Sequence, residues 1–253
     1  PVTTERIAET RDRATRMERP RTPDSTSYAL VRDRLLLETV SEESELREMF
    51  RTAGSADYPS TDAEQYGRAL VLMRTGSPED AITALEALRD RRPDVTLFHT
   101  ALGQAQLAAG RVEASRETLE NAMRLFPRSV PGTMRYAETL MRAGDPERAH
   151  VVLLDLFNNV PPTAEQARFT AIAANTAGDI ADSYYYMSEY HVISGDLALA
   201  INQLRLALAV PGINSVQRER FDARIRELQE YLPKGRRARE VAEPQAPDPA
   251  GSG

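Results

Sequence analysis

The chain has 253 residues, of which 28% are charged, and it contains no cysteine and no tryptophan. The absence of cysteine excludes disulfides and thiolate chemistry, and the formal net charge of −6 disfavours broad, sequence-independent binding to nucleic acid. No stretch approaches the roughly 18 consecutive apolar residues that would span a bilayer as a helix. Alanine, leucine, arginine and glutamate are good helix formers and occur throughout the chain, which favours an all-α fold.

Two segments precede the regular part of the sequence. Residues 1–26 are predicted to hold a short charged helix and a linker rich in proline and polar residues. Residues 27–60 are predicted to form lead-in helices, the first of them from about Ser27 to Val40. Four side chains give this first helix an apolar face: Tyr28, Val31, Leu35 and Leu36.

Residues 61–232 carry a regular repeat. Glycine and proline each recur along this segment at the same fixed interval. The glycines are Gly76, Gly110, Gly144 and Gly178, and the prolines are Pro93, Pro127 and Pro161. This interval and its punctuation are typical of the tetratricopeptide repeat (TPR), in which each repeat is a pair of helices. The glycine adopts the left-handed conformation that closes the first helix, and the proline ends the second. We therefore predict an all-α TPR solenoid, a right-handed superhelix of antiparallel helix pairs.

Small and large side chains follow the same period within the repeats. The recurring positions are Ala69, Gly103 and Ala137 in the first helices, and Ala81, Ser115 and Ala149, with Leu85, Leu119 and Leu153, in the second helices. Small residues let two helices approach until their side chains interlock. The pattern therefore predicts closely packed helix pairs.

The step between glycines shortens near the C-terminus. Gly195 follows Gly178 after half of the repeat interval, which corresponds to one helix. The helix from about Ile180 to Ile193 is therefore predicted to be the second of one pair and the first of the next. A last amphipathic segment, from Val216 to Tyr231, is predicted to cap the solenoid. Residues 233–253 have too little apolar surface to fold and are predicted to be disordered.

Two stretches resemble one family of enzymes. The first seven residues, PVTTERI, resemble the end of the catalytic domain of bacterial HExxH zinc metallopeptidases that carry a C-terminal TPR domain. The stretch EYHVISGDLALAINQL, from Glu189 to Leu204, is similar to a segment of the same family's TPR domain. The resemblance implies that residues 1–26 end a catalytic domain, and that the chain is a piece of a longer protein.

The resemblance also implies a function. The chain would be periplasmic and would dock substrates or partners for a peptidase that helps to assemble outer-membrane β-barrel proteins and degrades stalled ones. Its partners would be proteins or peptides: the outer-membrane β-barrel assembly machinery or the clients of that machinery. Zinc would belong to the absent catalytic domain, so no cofactor is expected in this chain.

The family's chemistry does not carry over to these residues. The chain has three histidines, and none of them belongs to an HExxH motif. His99 and His191 fall at first-helix positions that point into the core of a repeat, whereas His150 follows the small Ala149 and is predicted to be a partly exposed spacer. We therefore predict no catalytic residue and no metal site, and expect this chain alone not to be an enzyme.

A concave groove remains as the candidate binding surface. Its predicted residues lie on the first helices of the repeats: Tyr66, Met73, Gln104, Met134, Arg135, Glu138, Arg142, Arg168, Asn175, Tyr185 and Glu189. Methionine and aromatic side chains suit adaptable recognition of apolar segments. The arginines would donate hydrogen bonds to carbonyls or carboxylates of a bound segment.

Two functions fit this sequence. One is the docking domain of a periplasmic zinc metallopeptidase, and the other is a free-standing TPR adaptor or scaffold in another complex, with no protease attached. The first requires an HExxH motif upstream of Pro1. The residues that precede Pro1 in the parent gene therefore distinguish the two.

Overall fold

The computed structural model of the chain describes residues 26–40 and 61–232, and between them the single positions 42, 44, 45 and 48. This described part contains eleven α-helices and no strand: α1 (Thr26–Thr39), α2 (Asp62–Arg74), α3 (Pro78–Arg91), α4 (Thr96–Ala108), α5 (Val112–Leu125), α6 (Val130–Arg142), α7 (Pro146–Phe157), α8 (Ala164–Thr176), α9 (Ile180–Ile193), α10 (Leu197–Ala209) and α11 (Ser215–Tyr231). The predicted all-α class is confirmed. The predicted charged helix near the N-terminus and the predicted disordered tail lie outside the described residues.

The chain divides into two compact units, residues 1–75 and 76–253. In the first unit α1 packs against α2, and an Arg74 guanidinium donates a hydrogen bond to the Leu37 carbonyl. The predicted apolar face of α1 is wrong, because Tyr28 is 66% exposed and Leu35 is 61% exposed. The buried stripe is instead Leu30, Asp33 and Leu37. A buried aspartate in the middle of this stripe interrupts its apolar periodicity.

In the second unit the helices contact one another in chain order from α3 to α11. Their starts keep the sequence period: α8 begins at Ala164, and α10 begins at Leu197, nearly one full repeat later. The half-period glycine therefore does not interrupt the helix spacing. Helix α9 spans Ile180–Ile193, as predicted, and packs against both α8 and α10.

The turns confirm the predicted roles of glycine and proline. All five predicted turn glycines have φ between 75° and 86°: Gly76, Gly110, Gly144, Gly178 and Gly195. Gly212 also has a left-handed φ, of 82°, and lies one full repeat after Gly178. Pro93, Pro127 and Pro161 each follow the end of a second helix.

Side-chain caps fix where several helices begin. Thr163 and Asn214 form capping boxes with a glutamine three residues on, at the starts of α8 and α11. Asp145, Asp179 and Asp196 accept a backbone N–H at the starts of α7, α9 and α10. These caps satisfy backbone donors that have no partner within the helix.

A core cluster between α5 and α8 shows how the repeats pack. Its buried members are Leu119, Tyr136, Ala137, Leu140, Ala149, Leu153 and Ala173. Gly103 on α4 lies against Leu119 on α5, so that a Cβ at Gly103 would be 2.4 Å from the Leu119 Cγ. The Ser115 hydroxyl donates to the Gly103 carbonyl at 2.7 Å. The small residues predicted from the sequence thus allow the close approach of these helices.

None of the helices in the described ranges combines the length and the apolar character needed to cross a membrane.

Candidate functional site

A cavity of about 460 Å³ opens in the second unit between the end of α7, helix α9 and helix α11. Its walls include three aromatic rings, Phe157, Tyr185 and Tyr186, and two prolines, Pro161 and Pro162, of the α7–α8 connection. We call this cavity the α9–α11 pocket. Its volume lies within the range of sites that hold small molecules or single side chains.

The pocket residues share faces of their helices. On α9, Tyr185 and Glu189 are four residues apart and therefore lie on one side of the helix. On α11, Arg220 and Arg224 have the same spacing, and Ala223 lies between them. The two helices thus present a phenol, a carboxylate and two guanidiniums to the same space.

Glu189 and Arg224 form a two-bond ion pair at one side of the pocket. The Arg224 Nε and Nη2 donate to the two Glu189 carboxylate oxygens, each at 2.8 Å, and Nη1 donates to Glu227 at 2.7 Å. The Arg224 and Glu189 side chains are 22% and 15% exposed. Burial lowers the pKa of Arg224, but the hydrogen bonds to Glu189 and Glu227 outweigh it and leave the pKa raised. Arg224 is therefore fixed in place and fully charged.

Arg220 is held differently and keeps unused donors. One of its terminal nitrogens donates to Asp182 Oδ1, and its guanidinium carbon lies 4.3 Å from the centre of the Tyr185 ring. Such a contact is favourable because the face of the ring is electronegative. The Arg220 Nε is buried and has no hydrogen-bond partner in the described part of the chain. A guanidinium has five N–H donors, and the Arg220 side chain is 34% exposed, so its terminal nitrogens can donate further bonds to a bound group.

Aromatic packing shapes the floor of the pocket. The Tyr185 ring stacks on Phe221 with centroids 5.5 Å apart, and it meets Tyr186 edge-on at 5.3 Å. Tyr186 in turn lies 6.5 Å from Phe157. Burial raises the pKa of both tyrosines, so both phenols stay neutral. Neutral rings beside a guanidinium suit an apolar or aromatic side chain together with a carbonyl or carboxylate oxygen.

Of the predicted groove residues, the structure brings only Tyr185 and Glu189 into this pocket. Arg135 and Arg168 are instead paired on their own helices, with Glu138 at 2.8 Å and with Glu165 at 2.9 Å. Four other predicted residues of the second unit are half-buried or exposed elsewhere: Gln104, Met134, Arg142 and Asn175. Their role in binding stays a prediction.

In the first unit the two predicted groove residues differ in how far they are buried. Met73 is half-buried, but Tyr66 is completely buried, and its hydroxyl accepts a hydrogen bond from Arg34 at 3.2 Å. The prediction that Tyr66 lines an open surface is therefore wrong. The repeat period predicts which side of α2 faces the groove. Helix α1, which lies outside the repeats, covers that side.

The histidines also depart in part from the sequence prediction. His99 is buried as predicted, with its Nε2 2.9 Å from the Pro93 carbonyl, whereas His191 is only half-buried. His150 is not a partly exposed spacer, because it is buried to the same extent as His99 and faces Asp182. Burial lowers the pKa of His150, and this outweighs the opposite effect of Asp182, so the imidazole is neutral at neutral pH.

Sequence reasoning missed the arginines that complete the pocket. The amphipathic pattern of α11 predicts a cap with solvent-facing charges, although Arg220 and Arg224 turn towards α9. The available signal was their four-residue spacing, which matches that of Tyr185 and Glu189. The repeat period fixes where α9 and α11 lie along the chain, but it does not fix the direction of these side chains.

The comparisons with known proteins agree with this architecture. The family model described as "Tetratricopeptide repeat" matches residues 66–130 and 100–157. The chain therefore contains tetratricopeptide repeats, and its fold is an all-α TPR solenoid. Repeats of this kind point to protein–protein interaction as the general role.

One particular relative matches almost the whole chain. Over 231 residues the chain is 23% identical to the beta-barrel assembly-enhancing protease of Escherichia coli (strain K12), an alignment that covers 91% of this chain and 47% of that protein. The chain thus spans about half the length of the curated relatives it matches.

Two solved structures are similar to this chain. MamA of Desulfovibrio magneticus RS-1 has a TM-score of 0.48 at 12% identity, covering 72% of this chain and 97% of that one. A thermophilic TPR protein of Thermus thermophilus has a TM-score of 0.48 at 17% identity, covering 79% and 98%.

Proposed function

We propose that this chain is the partner-docking TPR domain of a periplasmic zinc metallopeptidase that acts in the assembly and quality control of outer-membrane proteins. The similarity to the beta-barrel assembly-enhancing protease supports this proposal, because it extends over 91% of the chain and includes residues outside the regular repeats. The match covers 47% of that relative, which leaves room in the parent protein for a catalytic domain.

The observation that carries the docking role is the α9–α11 pocket. It combines an aromatic floor with Arg220, a partly exposed guanidinium whose terminal nitrogens have donors beyond the bond to Asp182. In an extended segment of a partner, an apolar side chain would pack against the rings of Phe157 and Tyr186. A neighbouring backbone carbonyl would accept a hydrogen bond from Arg220. This arrangement resembles a binding hot spot, in which an aromatic and arginine cluster is surrounded by less important contacts.

The rest of the proposed groove would extend this contact. Arg135, Arg142 and Arg168 supply polar contacts along the first helices, and Met134 adds apolar surface. The bound partner would be an unfolded or partly folded outer-membrane β-barrel protein, whose strands are extended segments with alternating apolar side chains. Such a segment offers one apolar side chain to the pocket and free carbonyls to the arginines.

Photocrosslinking tests the location of this site. Ala223 lines the pocket and is exposed, and Ala209 is an exposed alanine of α10 that does not line it. We expect a photoreactive benzoylphenylalanine at position 223 to crosslink a urea-diluted outer-membrane β-barrel protein, and the same residue at position 209 to give little product. Equal crosslinking at the two positions, or none at position 223, would contradict the pocket as a docking site.

The second part of the proposal concerns the parent protein. We expect the gene upstream of the Pro1 codon to encode an HExxH motif, whose two histidines and glutamate form a zinc peptidase site. If the upstream sequence has no such motif, the chain is a TPR adaptor of another complex. Crosslinking at position 223 would then still report on the pocket, so the two parts fail separately.

A further inference from the structure

Three side chains that could hold a metal ion meet where α7 contacts the start of α9. His150 lies on α7, Asp179 is the N-cap of α9, and Asp182 lies in the first turn of α9. One potential ligand atom from each residue lies within 4.8 Å of the other two. The side chains of His150 and Asp182 are only 7% and 6% exposed. Two of the three side chains are therefore buried, and Asp179 beside them is half-buried.

The imidazole of His150 is aimed into this cluster without a hydrogen bond. Its Nε2 is buried, makes no hydrogen bond to any described residue, and lies 3.6 Å from Asp182 Oδ2. A hydrogen bond between nitrogen and oxygen would bring the two atoms to about 2.7–3.2 Å. Two ligands of one tetrahedral zinc ion, with bonds of about 2.0–2.2 Å, lie roughly 3.4 Å apart. The observed spacing is closer to that of two ligands of one ion.

In each carboxylate, one oxygen accepts a hydrogen bond from a described residue and the other oxygen does not. Asp179 Oδ1 accepts the backbone N–H of Asp182 at 2.9 Å. Asp182 Oδ1 accepts from Arg220 and, at 3.4 Å, from Gln217, whereas Oδ2 faces His150. Metal-binding carboxylates are commonly oriented in this way, by hydrogen bonds to the oxygen that does not bind the ion.

We propose that His150, Asp179 and Asp182 form a binding site for a divalent transition-metal ion of the zinc type. One imidazole nitrogen and two carboxylate oxygens suit zinc, whereas magnesium and calcium favour sites made only of oxygen. Three protein ligands leave one position for water. The positive charge of Arg220 reduces the affinity, so the site is weaker than a closed four-ligand site.

This site differs from the catalytic zinc that the sequence resemblance implies for an upstream domain. Its ligands come from α7 and α9 of the TPR array, and none of them belongs to an HExxH motif. A bound ion, with Asp182 among its ligands, would link these two helices close to Arg220. Its function would therefore be to stabilise the α7–α9 contact next to the α9–α11 pocket.

Zinc titration of the full chain tests the proposal. After dialysis against a chelator, calorimetry with zinc chloride is expected to show one saturable equivalent, and the melting temperature is expected to rise with zinc concentration. His150→Gln removes the imidazole and is expected to weaken zinc binding at least tenfold. Asp179→Ser keeps an N-cap but shortens the side chain out of reach of the ion, and it should also weaken binding.

The matched control is His191→Gln, which changes a half-buried histidine of α9 outside the cluster and should leave zinc binding unchanged. A second measurement needs no variant: on addition of zinc to the unaltered chain, the imidazole NMR signals of His150 should shift and those of His99 should not. The proposal is overturned if zinc does not saturate one site, if the His150 signals stay in place, or if His150→Gln binds as the unaltered chain does. The cluster would then be a group of buried and half-buried polar side chains only.

Discussion

Between α4 and α7 the helices approach one another through small residues, whereas α9 and α11 meet through aromatic rings and ion pairs. In the first region Gly103 lies against Leu119, and the Ser115 hydroxyl bonds to the Gly103 carbonyl. In the second region Phe221 stacks on Tyr185, and the Glu189–Arg224 pair joins the two helices. Both regions belong to the same unit and share the same helix period.

The comparison distinguishes the residues that pack the repeats together from the residues that line the pocket. Small residues at fixed intervals pack the repeats closely, so they leave little space for a ligand. Large aromatic and charged side chains line the cavity between α9 and α11. The same fold thus provides a closed interior in one region and a pocket in the other. A fold can be shared among many functions because the site lies in such local departures.

The largest expected effect is the loss of Phe221, which is completely buried. Phe221→Ala should lower the free energy of unfolding by about 3–5 kcal/mol, since it removes buried apolar surface and leaves a void. Urea denaturation followed by circular dichroism measures this change. Leu153→Ala, in the closed region, is the matched variant, with an expected loss of about 2–5 kcal/mol.

These two variants should differ in binding. Phe221 supports the Tyr185 ring in the pocket floor, whereas Leu153 is a member of the core cluster between α5 and α8. In conditions where both remain folded, only Phe221→Ala should reduce crosslinking from position 223. An equal reduction in both variants would mean that stability, rather than the pocket, controls partner capture.

A smaller effect is expected in the closed region from Gly103→Ala. The added Cβ would lie 2.4 Å from the Leu119 Cγ, which the packed core cannot accommodate without a shift. We expect a loss of about 1–3 kcal/mol from overpacking, measured by the same denaturation. The double variant Gly103→Ala and Leu119→Ala should lose less than the sum of the two single variants, because the second change relieves the clash. Additive losses would contradict the close packing.

The next largest loss of stability is expected from removing the ion pair of the pocket. Arg224→Met removes the partner of Glu189, a carboxylate that is 15% exposed and that accepts both of its hydrogen bonds from Arg224. We expect a loss of about 1–2 kcal/mol, the cost of leaving a mostly buried charged acceptor without its donors. Thermal and urea denaturation at neutral pH measure it. If the unfolding free energy stays unchanged, the pair does not join α9 to α11 as we describe.

The sequence predicts the backbone of this protein better than its site. Gly144 and Pro161 determine local backbone conformation, so their spacing fixes where helices end. The pocket depends on which way Arg220 and Arg224 point, and that direction is set by packing between helices that are not neighbours in the chain. The prediction for His150 is wrong for the same reason, since the Asp182 that faces it comes from the next helix pair.

The smallest expected change in stability comes from two arginines of the proposed groove, the half-buried Arg135 and the exposed Arg168. Arg168 and Glu165 are 53% and 74% exposed, and the pair of Arg135 with Glu138 has the same three-residue spacing. Exposed pairs of this kind contribute only about 0.2–1 kcal/mol. The double variant Arg135→Ala and Arg168→Ala should therefore unfold within about 1 kcal/mol of the unaltered chain, with the same helicity.

The same double variant should differ more clearly in binding. If a partner lies along the first helices, the variant should bind the unfolded β-barrel protein roughly twofold to fivefold more weakly. Binding assays at low salt would show this change, because such charges are screened as ionic strength rises. Unchanged affinity, together with lost capture in Phe221→Ala, would restrict recognition to the α9–α11 pocket and exclude Arg135 and Arg168 from the binding surface.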